Sequence, residues 1–281
     1  MILTAVDDNF LSEAITLIKS CARHVPEQRF YLFLVNSSEQ RVAESRACHP
    51  NLIIELVRWP YDARRWRGLM CCARSIPFLN VLETYKEPTL YMDSDMLIMA
   101  PLDELFGELK TFDLLVRYHP ESDVLGAGGT KNAAKFNSGV IAIRPSDVGI
   151  QFAREYDRRI REWINSGKEI CKTDESYKVN TCIDQEFLYV IYKEFEGRIR
   201  FKPLPDKFND AKFKPDSVIW HGKGTARKKP EYVRAKLAYS NRFRYYAFSL
   251  ICYIPLRLIY CLGHLAKTWR NALRSVTFFL F

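Results

Sequence analysis

An α/β fold built on a mainly parallel sheet is what this 281-residue sequence predicts. Two observations carry the prediction. Apolar runs rich in β-branched and aromatic residues alternate with segments whose apolar residues recur at helical spacing, an order that implies strands joined by helical crossovers. The composition, 48% hydrophobic with 18 Phe, 15 Tyr and 5 Trp, supplies a core for one large domain or a domain with an appendage.

The elements follow in chain order. Ile2-Leu3-Thr4-Ala5-Val6 reads as a first strand that stops at Asp7-Asp8-Asn9. Ser12 is placed to cap a helix whose apolar positions are Ala14, Ile15, Ile18, Ala22 and Val25. Strand, polar turn and helix open a nucleotide-binding α/β unit, where ligands sit beyond the carboxyl ends of the strands. Asp7 and Asn9 lie there, suited either to a base edge or to capping the helix. Phe30 to Val35 and Leu52 to Val57 are further strands, with a helix near residues 39 to 47 between them. An Arg- and Trp-rich segment from Tyr61 to Tyr85 becomes helical.

The stretch Leu90-Tyr91-Met92-Asp93-Ser94-Asp95-Met96-Leu97-Ile98 organises the rest. Bounded by Pro88 and Pro101, it reads as one buried strand presenting two carboxylates. Aspartates at i and i+2 of an extended chain project to one side. Unpaired buried carboxylates are costly, so a divalent cation is the natural neutraliser. Magnesium and manganese often hold only one or two protein carboxylates and take their other ligands from phosphates and water. A metal–diphosphate site is therefore expected here, against the alternative of a solvated turn.

Leu102 to Leu109 reads as a short helix, Phe112 to Val116 as a strand and Gly126-Ala127-Gly128-Gly129 as a flexible loop without the Gly-Lys-Ser/Thr of a phosphate loop. Phe136-Asn137-Ser138-Gly139 is a polar turn feeding the apolar strand Val140 to Ile143. A charged helix from Val148 to Trp163, a polar loop from Asn165 to Asn180 and a helix opened by Asp184-Gln185 follow. Ile199 to Leu204 and Val218 to Trp220 are the last strands. The second ends in His221-Gly222-Lys223-Gly224, a histidine that suits a metal beside residues that suit phosphate.

Charge and cysteine bound the setting. The net charge is +9, but residues 227–281 hold 11 Lys/Arg against Glu231 alone, which leaves the rest nearly neutral. That excludes a broadly basic nucleic-acid binder and points to a localised basic element. Eight cysteines without metal-ligand spacing read as buried free thiols in a reducing compartment, and no signal peptide is recognised.

Taken in order, Ala5-x-Asp7-x-Asn9, Ala73-Arg74, Leu90-Tyr91-Met92-Asp93-Ser94-Asp95, Phe136-Asn137-Ser138-Gly139-Val140, Asp184-Gln185 and His221-x-x-Gly224 with a following lysine resemble the GT-A-fold glycosyltransferases. The match is strongest to glycosyltransferase family 8, the retaining sugar transferases that include bacterial lipopolysaccharide galactosyltransferases and glycogenin. The resemblance covers about residues 1–230 and implies a single GT-A (Rossmann-like) domain there with a mostly parallel mixed sheet; beyond it, residues 231–281 read from their own composition as a basic, aromatic helical tail. It implies a metal-dependent transfer of a hexose from a UDP-sugar to a glycan or glycolipid. Ala5, Asp7 and Asn9 would hold the uridine. Arg74 would face the diphosphate and sugar. Asp93, Asp95 and His221 would bind Mn2+ or Mg2+, with Ser94 counted among the donor contacts. Asn137 and Ser138 would touch the donor sugar. Asp184 and Gln185, the catalytic candidates, would lie under it. Gly224 and Lys228 would meet the phosphates, with Arg227 at the spacing where the family usually carries its lysine. Where family members often place an acid that grips the donor sugar, this chain has Arg117-Tyr118-His119.

A departing nucleoside diphosphate develops negative charge that a metal and cations stabilise, and the acceptor hydroxyl must be held at the anomeric carbon. Retention of configuration leaves two routes open: a covalent intermediate on Asp184, or attack from the leaving-group face. Two other classes compete. A nucleotidylyltransferase would carry a Gly-rich basic loop after the first strand, where Asp7-Asp8-Asn9 stands. A degenerate lectin-like or scaffold protein would not need both metal aspartates.

From Arg242 the chain is aromatic and basic, and Arg257 interrupts its apolar run. Without about 20 continuous apolar residues it does not span a bilayer. It suits a helix on an anionic membrane surface, hence a peripheral place on the cytoplasmic face, with a transmembrane or re-entrant hairpin and an ordinary helix packed on the domain or on a partner subunit as the alternatives.

Overall fold

The computed structural model describes residues 1–60, 62, 64–174, 179–240 and 248–249. The elements are β1 (Ile2–Asp7), α1 (Leu11–His24), β2 (Phe30–Val35), α2 (Glu39–Arg46), β3 (Leu52–Val57), α3 (Trp66–Cys72), α4 (Ser75–Tyr85), β4 (Thr89–Met92), β5 (Met96–Ile98) and α5 (Asp103–Glu108). They continue with β6 (Leu114–Tyr118), β7 (Phe136–Ile143), α6 (Asp147–Asn165), β8 (Cys171–Asp174), β9 (Val179–Cys182), α7 (Ile183–Phe195), β10 (Phe201–Pro203), β11 (Ile219–His221) and α8 (Pro230–Ser240).

Seven strands form the main sheet in the order β10-β6-β7-β4-β1-β2-β3. Every pairing is parallel except those of β7 with β4 and β6. Helices cover both faces. Leu3, Phe33, Tyr91 and Ile141 pack with α3, α4, α6 and α7 on one side. Ile2, Val6, Leu32 and Leu90 pack with α1 and α5 on the other. Strands buried on both faces are continuously apolar, which is why β1 and β2 read as unbroken runs.

Three readings change. Ser12 does not cap α1: the helix starts at Leu11, and the Ser12 hydroxyl, inside the first turn, donates to Glu13 Oε2 at 2.6 Å. The segment from Leu90 to Ile98 is not one strand. β4 stays in the main sheet, Asp93-Ser94-Asp95 turns, and β5 leaves to pair antiparallel with β11. The polar loop after α6 contains the hairpin β8–β9, closed by a Cys171–Cys182 disulfide. Those two cysteines are thus not free thiols, which removes one argument for a reducing compartment. Cys21, Cys48, Cys71 and Cys72 are free.

At the start of the stretch read as a tail, α8 packs on α1 through Lys236 to Glu13 (3.0 Å) and His24 to Tyr239 (3.0 Å). The aromatic and basic stretch expected to lie on a membrane falls, but for Phe248 and Ser249, outside the described residues. Among those described, no helix is long and apolar enough to cross a membrane.

Candidate active site

The parallel strands β1, β4 and β6 end at one edge, and the antiparallel β7 begins there. In open α/β sheets this edge, beyond the carboxyl ends, is where ligands bind. Most of the sequence-selected residues arrive at it for that topological reason.

Asp7 closes β1. Its carboxylate, 5% exposed, accepts Trp66 Nε1–H at 2.6 Å, Asn9 Nδ2–H at 2.8 Å and the Asn9 backbone N–H at 3.1 Å. Neither Asp7 nor Asn9 caps α1, which carries no side-chain cap. Instead Asp7 pins α3 to the end of β1 through Trp66 and leaves Asn9 exposed beside it. Ala5, two residues earlier on β1, is buried.

Asp93 and Asp95 converge through the turn between β4 and β5, with Ser94 half-buried at its tip. β11 brings His221 to the same point through its pairing with β5, His221 opposite Met96. His221 Nε2 lies 3.3 Å from Asp95 Oδ1 and 3.9 Å from Asp93 Oδ2. The three ligand atoms are mutually within 4.8 Å. Asn209 Oδ1 accepts from His221 Nδ1 at 2.8 Å, and Asn209 Nδ2 donates to Asn137 Oδ1 at 3.0 Å. This fixes the imidazole with its proton on Nδ1 and its Nε2 lone pair toward the carboxylates, as metal-bound histidines are fixed by their outer partners. Gly139 makes the close approach possible. A Cβ there would stand 3.0 Å from Asp93 Oδ2, 3.0 Å from His221 Cε1 and 2.9 Å from Met96 Cε. Two carboxylates and an oriented imidazole form a donor set that fits a divalent cation of the manganese or magnesium type.

A buried cation backs this cluster. Arg74, at the junction of α3 and α4, is 5% exposed. It lies 3.3 Å from Asp93 Oδ1 and 3.5 Å from Asp184 Oδ2, with its guanidinium 4.6 Å from the centre of the Tyr91 ring. It also donates to the Cys71 carbonyl at 2.8 Å and to the Ser138 carbonyl. Burial disfavours its charge, but Tyr91, Asp93 and Asp184 outweigh that and keep it firmly cationic. Asp184, in the first turn of α7, accepts Ser138 Oγ–H at 2.9 Å. Burial pushes its carboxyl up, partly offset by Arg74 and Ser138. Gln185 Oε1 accepts the Ser138 backbone N–H at 3.3 Å, and its Nε2 donates to the Ala133 carbonyl. Asp184 and Gln185 therefore clamp the start of β7, which carries Asn137 and Ser138.

On the other flank, Gly224–Lys228 forms a short 3-10 turn after His221. Gly224 adopts φ +56°, a left-handed conformation that glycine takes without strain. Arg227 Nη2 lies 2.9 Å from Asp95 Oδ2, and its Nε donates to the Gly222 carbonyl at 3.1 Å. Burial works against the Asp95 anion, but His221 and Arg227 prevail and hold its carboxyl below the usual aspartate value. Arg227, at the family's lysine spacing, thus reaches the cluster, whereas Lys228 is exposed.

Two residues absent from the sequence reading support the site. Asn209 is one, and Arg117 holds its turn by donating to the Asn209 carbonyl at 2.9 Å and pairing with Asp206 at 2.9 Å. Glu186 is the other. Its buried carboxylate accepts the backbone N–H groups of Gly128 (2.8 Å) and Thr130 (3.0 Å). A Cβ at Gly126 or Gly128 would collide with it. The glycine loop is therefore folded on a carboxylate of the protein. An acid one residue after Asp184-Gln185 was the only available signal.

No protein-family model matches this chain, and no curated protein matches it. Solved structures do. A galactosyltransferase LgtC in complex with donor and acceptor sugar analogues is 19% identical, with 85% of this chain and 96% of that chain covered at a TM-score of 0.56. The glycosyltransferase GlyE of Streptococcus pneumoniae is 18% identical over 85% of this chain and 59% of its own, TM-score 0.56. The bifunctional WbbM is 13% identical over 88% and 51%, TM-score 0.55. The chain has the GT-A-like fold of these glycosyltransferase structures.

Proposed function

We propose that this protein is a metal-dependent glycosyltransferase that moves a hexose from a UDP-sugar to a glycan or glycolipid acceptor, with retention of configuration. The observation that carries the reading is the meeting of Asp93, Asp95 and an oriented His221 at the carboxyl edge of the sheet, with Arg74 behind them. Its shared fold with LgtC, GlyE and WbbM supports the same class.

In this reading Asp93, Asp95 and His221 hold Mn2+ or Mg2+. When bound, the ion offsets charge on the diphosphate as it leaves. Arg74 keeps the Asp93 carboxylate aligned and adds fixed positive charge where the leaving group forms. Arg227 pairs with Asp95 at 2.9 Å and, with Gly224 and Lys228, would meet the phosphates of the donor. Ala5, Asp7 and Asn9 line the uridine end, Asp7 being held by Trp66. Asn137 and Ser138 contact the donor sugar, with Ser94 near it. Asp184, 2% exposed and engaged by Ser138 and Arg74, acts as a positioning residue rather than a nucleophile, which favours attack from the leaving-group face. Gln185 fixes the same turn from the other side.

The basic stretch 231–281 would then hold the enzyme at an anionic membrane surface, near a glycolipid acceptor. A nucleotidylyltransferase remains the second reading, disfavoured because Asp7-Asp8-Asn9 follows β1 in place of a glycine-rich basic loop. UDP release from a panel of UDP-sugars with manganese tests the proposal. Release that depends on metal and disappears in Asp95→Asn supports it, and release that survives the substitution rejects the site.

A further inference from the structure

Helix α8 opens the stretch read as a tail, yet its first turn reaches the candidate metal site. Tyr232, 3% exposed, donates its hydroxyl to the Asp95 carbonyl at 2.7 Å. The same oxygen accepts the Gly222 backbone N–H at 2.8 Å. A carbonyl oxygen has two lone pairs, and both are used here. One donor follows His221 in the chain and the other comes from α8. The Tyr232 ring also lies directly against Gly222. A Cβ on Gly222 would stand 2.5 Å from the Tyr232 Cζ, 2.7 Å from its hydroxyl oxygen and 2.8 Å from its Cε1. A side chain at 222 would therefore displace the ring, and glycine permits the approach. Phe213 stacks on the ring, with centroids 5.2 Å apart and planes at 30°. Leu97 and Ala226 share this small apolar cluster.

The rest of α8 fixes where Tyr232 stands. Tyr232, Lys236 and Tyr239 recur at i, i+4 and i+7, which places them on one face of the helix. Lys236 pairs with Glu13 of α1 at 3.0 Å. The Tyr239 hydroxyl meets His24 Nε2 at 3.0 Å and donates to the Ile98 carbonyl at 3.4 Å. Asp95 immediately precedes β5 and Ile98 ends it, so α8 holds both ends of the strand that leaves the main sheet.

We infer that Tyr232 is a positioning residue for the divalent cation, tying Asp95 from the β4–β5 turn to His221 from β11, and that α8 is thereby part of the donor site. The inference rests on the metal site proposed above. Asp95 and His221 arrive from distant parts of the chain, and an ion binds them tightly only if their ligand atoms are already held together. Tyr232 touches the backbone of Asp95 and of the residue after His221, so one side chain sets the spacing of both. Partners beyond the ligands themselves are worth about 10–100-fold in metal affinity.

The test measures manganese binding to the full chain by the electron paramagnetic resonance signal of free Mn2+, with and without UDP. Tyr232→Phe keeps the ring on Gly222 and removes only the bond to the Asp95 carbonyl. It is expected to weaken manganese binding about tenfold, the lower end of the range for such partners, with little change in the metal-free melting temperature. The manganese concentration for half-maximal UDP release should rise by the same factor, with the rate at saturating manganese close to wild type. Loss of folded protein would instead lower the saturated rate and leave the half-maximal concentration in place. Lys236→Met serves as the comparison: it loosens α8 on α1 at a distance from Asp95 and should leave manganese binding as in the wild type. Unchanged manganese binding in Tyr232→Phe overturns the inference, as does an equal loss in Lys236→Met, while UDP-linked manganese binding by the wild type keeps the metal site standing. A wild-type chain that binds no manganese with or without UDP overturns both.

Discussion

Asn209 Oδ1 accepts the Nδ1 proton of His221 at 2.8 Å, and this one bond decides which imidazole nitrogen faces Asp93 and Asp95. Removing it frees the ring to rotate or to change tautomer. Outer partners of this kind are worth about 10–100-fold in metal affinity. Asn209→Ala should therefore raise the manganese concentration needed for half-maximal UDP-induced stabilisation by a factor in that range, with the metal-free melting temperature changed far less. An unchanged manganese requirement would remove Asn209 from the site.

Arg74 lies between Asp93 at 3.3 Å and Asp184 at 3.5 Å, almost wholly out of water. Taking away one partner of a buried ion pair leaves an uncompensated charge and costs about 3–5 kcal/mol. Arg74→Met should destabilise the metal-free protein by that order in urea denaturation. Adding Asp184→Asn to Arg74→Met should recover part of the loss, because it removes one orphaned carboxylate. Additive effects would mean that the two groups do not interact.

The sequence showed the fold clearly where burial on both faces makes a strand apolar from end to end. β2 begins and ends where its apolar run does, whereas Phe136-Asn137-Ser138-Gly139, read as a turn, is the first half of β7, and β3 keeps its expected bounds although it is half-buried throughout. It was silent where structure depends on a distant partner. Nothing between Leu90 and Ile98 signals that β5 leaves the main sheet, because that break is made by its pairing with β11 much later in the chain. The two aspartates meet for a different reason from the one first argued. They flank the turn between β4 and β5, and β11 brings His221 to the point where they converge. Asn209 and Glu186 were missed because their work is long-range: one reaches His221 and Asn137, the other the 126–130 loop. The hairpin β8–β9 was missed because its strands are short and polar, and a disulfide joins them.

That disulfide, Cys171–Cys182, closes a short loop whose second cysteine immediately precedes α7 and so Asp184 and Gln185. A short closed loop of this kind contributes about 3 kcal/mol in the chain-entropy model. Cys171→Ser/Cys182→Ser, or full reduction, should lower stability by up to that amount. It should also weaken donor turnover through loss of order at the start of α7. Wild-type behaviour in both respects would make the bridge incidental.

The Asp95 carboxyl, disfavoured as an anion by burial, is nonetheless held below its usual value of 3.8 by His221 and Arg227. A depressed carboxylate contributes stability that is present above its unfolded value and is lost as pH falls through its folded value. Metal-free Asp95→Asn should therefore be less stable than wild type at pH 6 to 7, with the gap closing as the pH drops below about 4. Asp184 has the opposite sign. Burial raises its carboxyl, so its favourable contribution belongs to low pH and is lost as pH rises. Asp184→Asn should therefore cost less at pH 7 than Asp95→Asn does. Denaturation curves across that range check both signs.

The most direct measurement is a calorimetric titration of manganese into the metal-free protein, with and without UDP, for wild type and Asp95→Asn. UDP is expected to tighten manganese binding in the wild type, manganese to tighten UDP binding by the same factor as linkage requires, and Asp95→Asn to lose both. UDP binding of equal strength with and without manganese, in wild type and variant alike, would contradict a metal–diphosphate site at Asp93, Asp95 and His221.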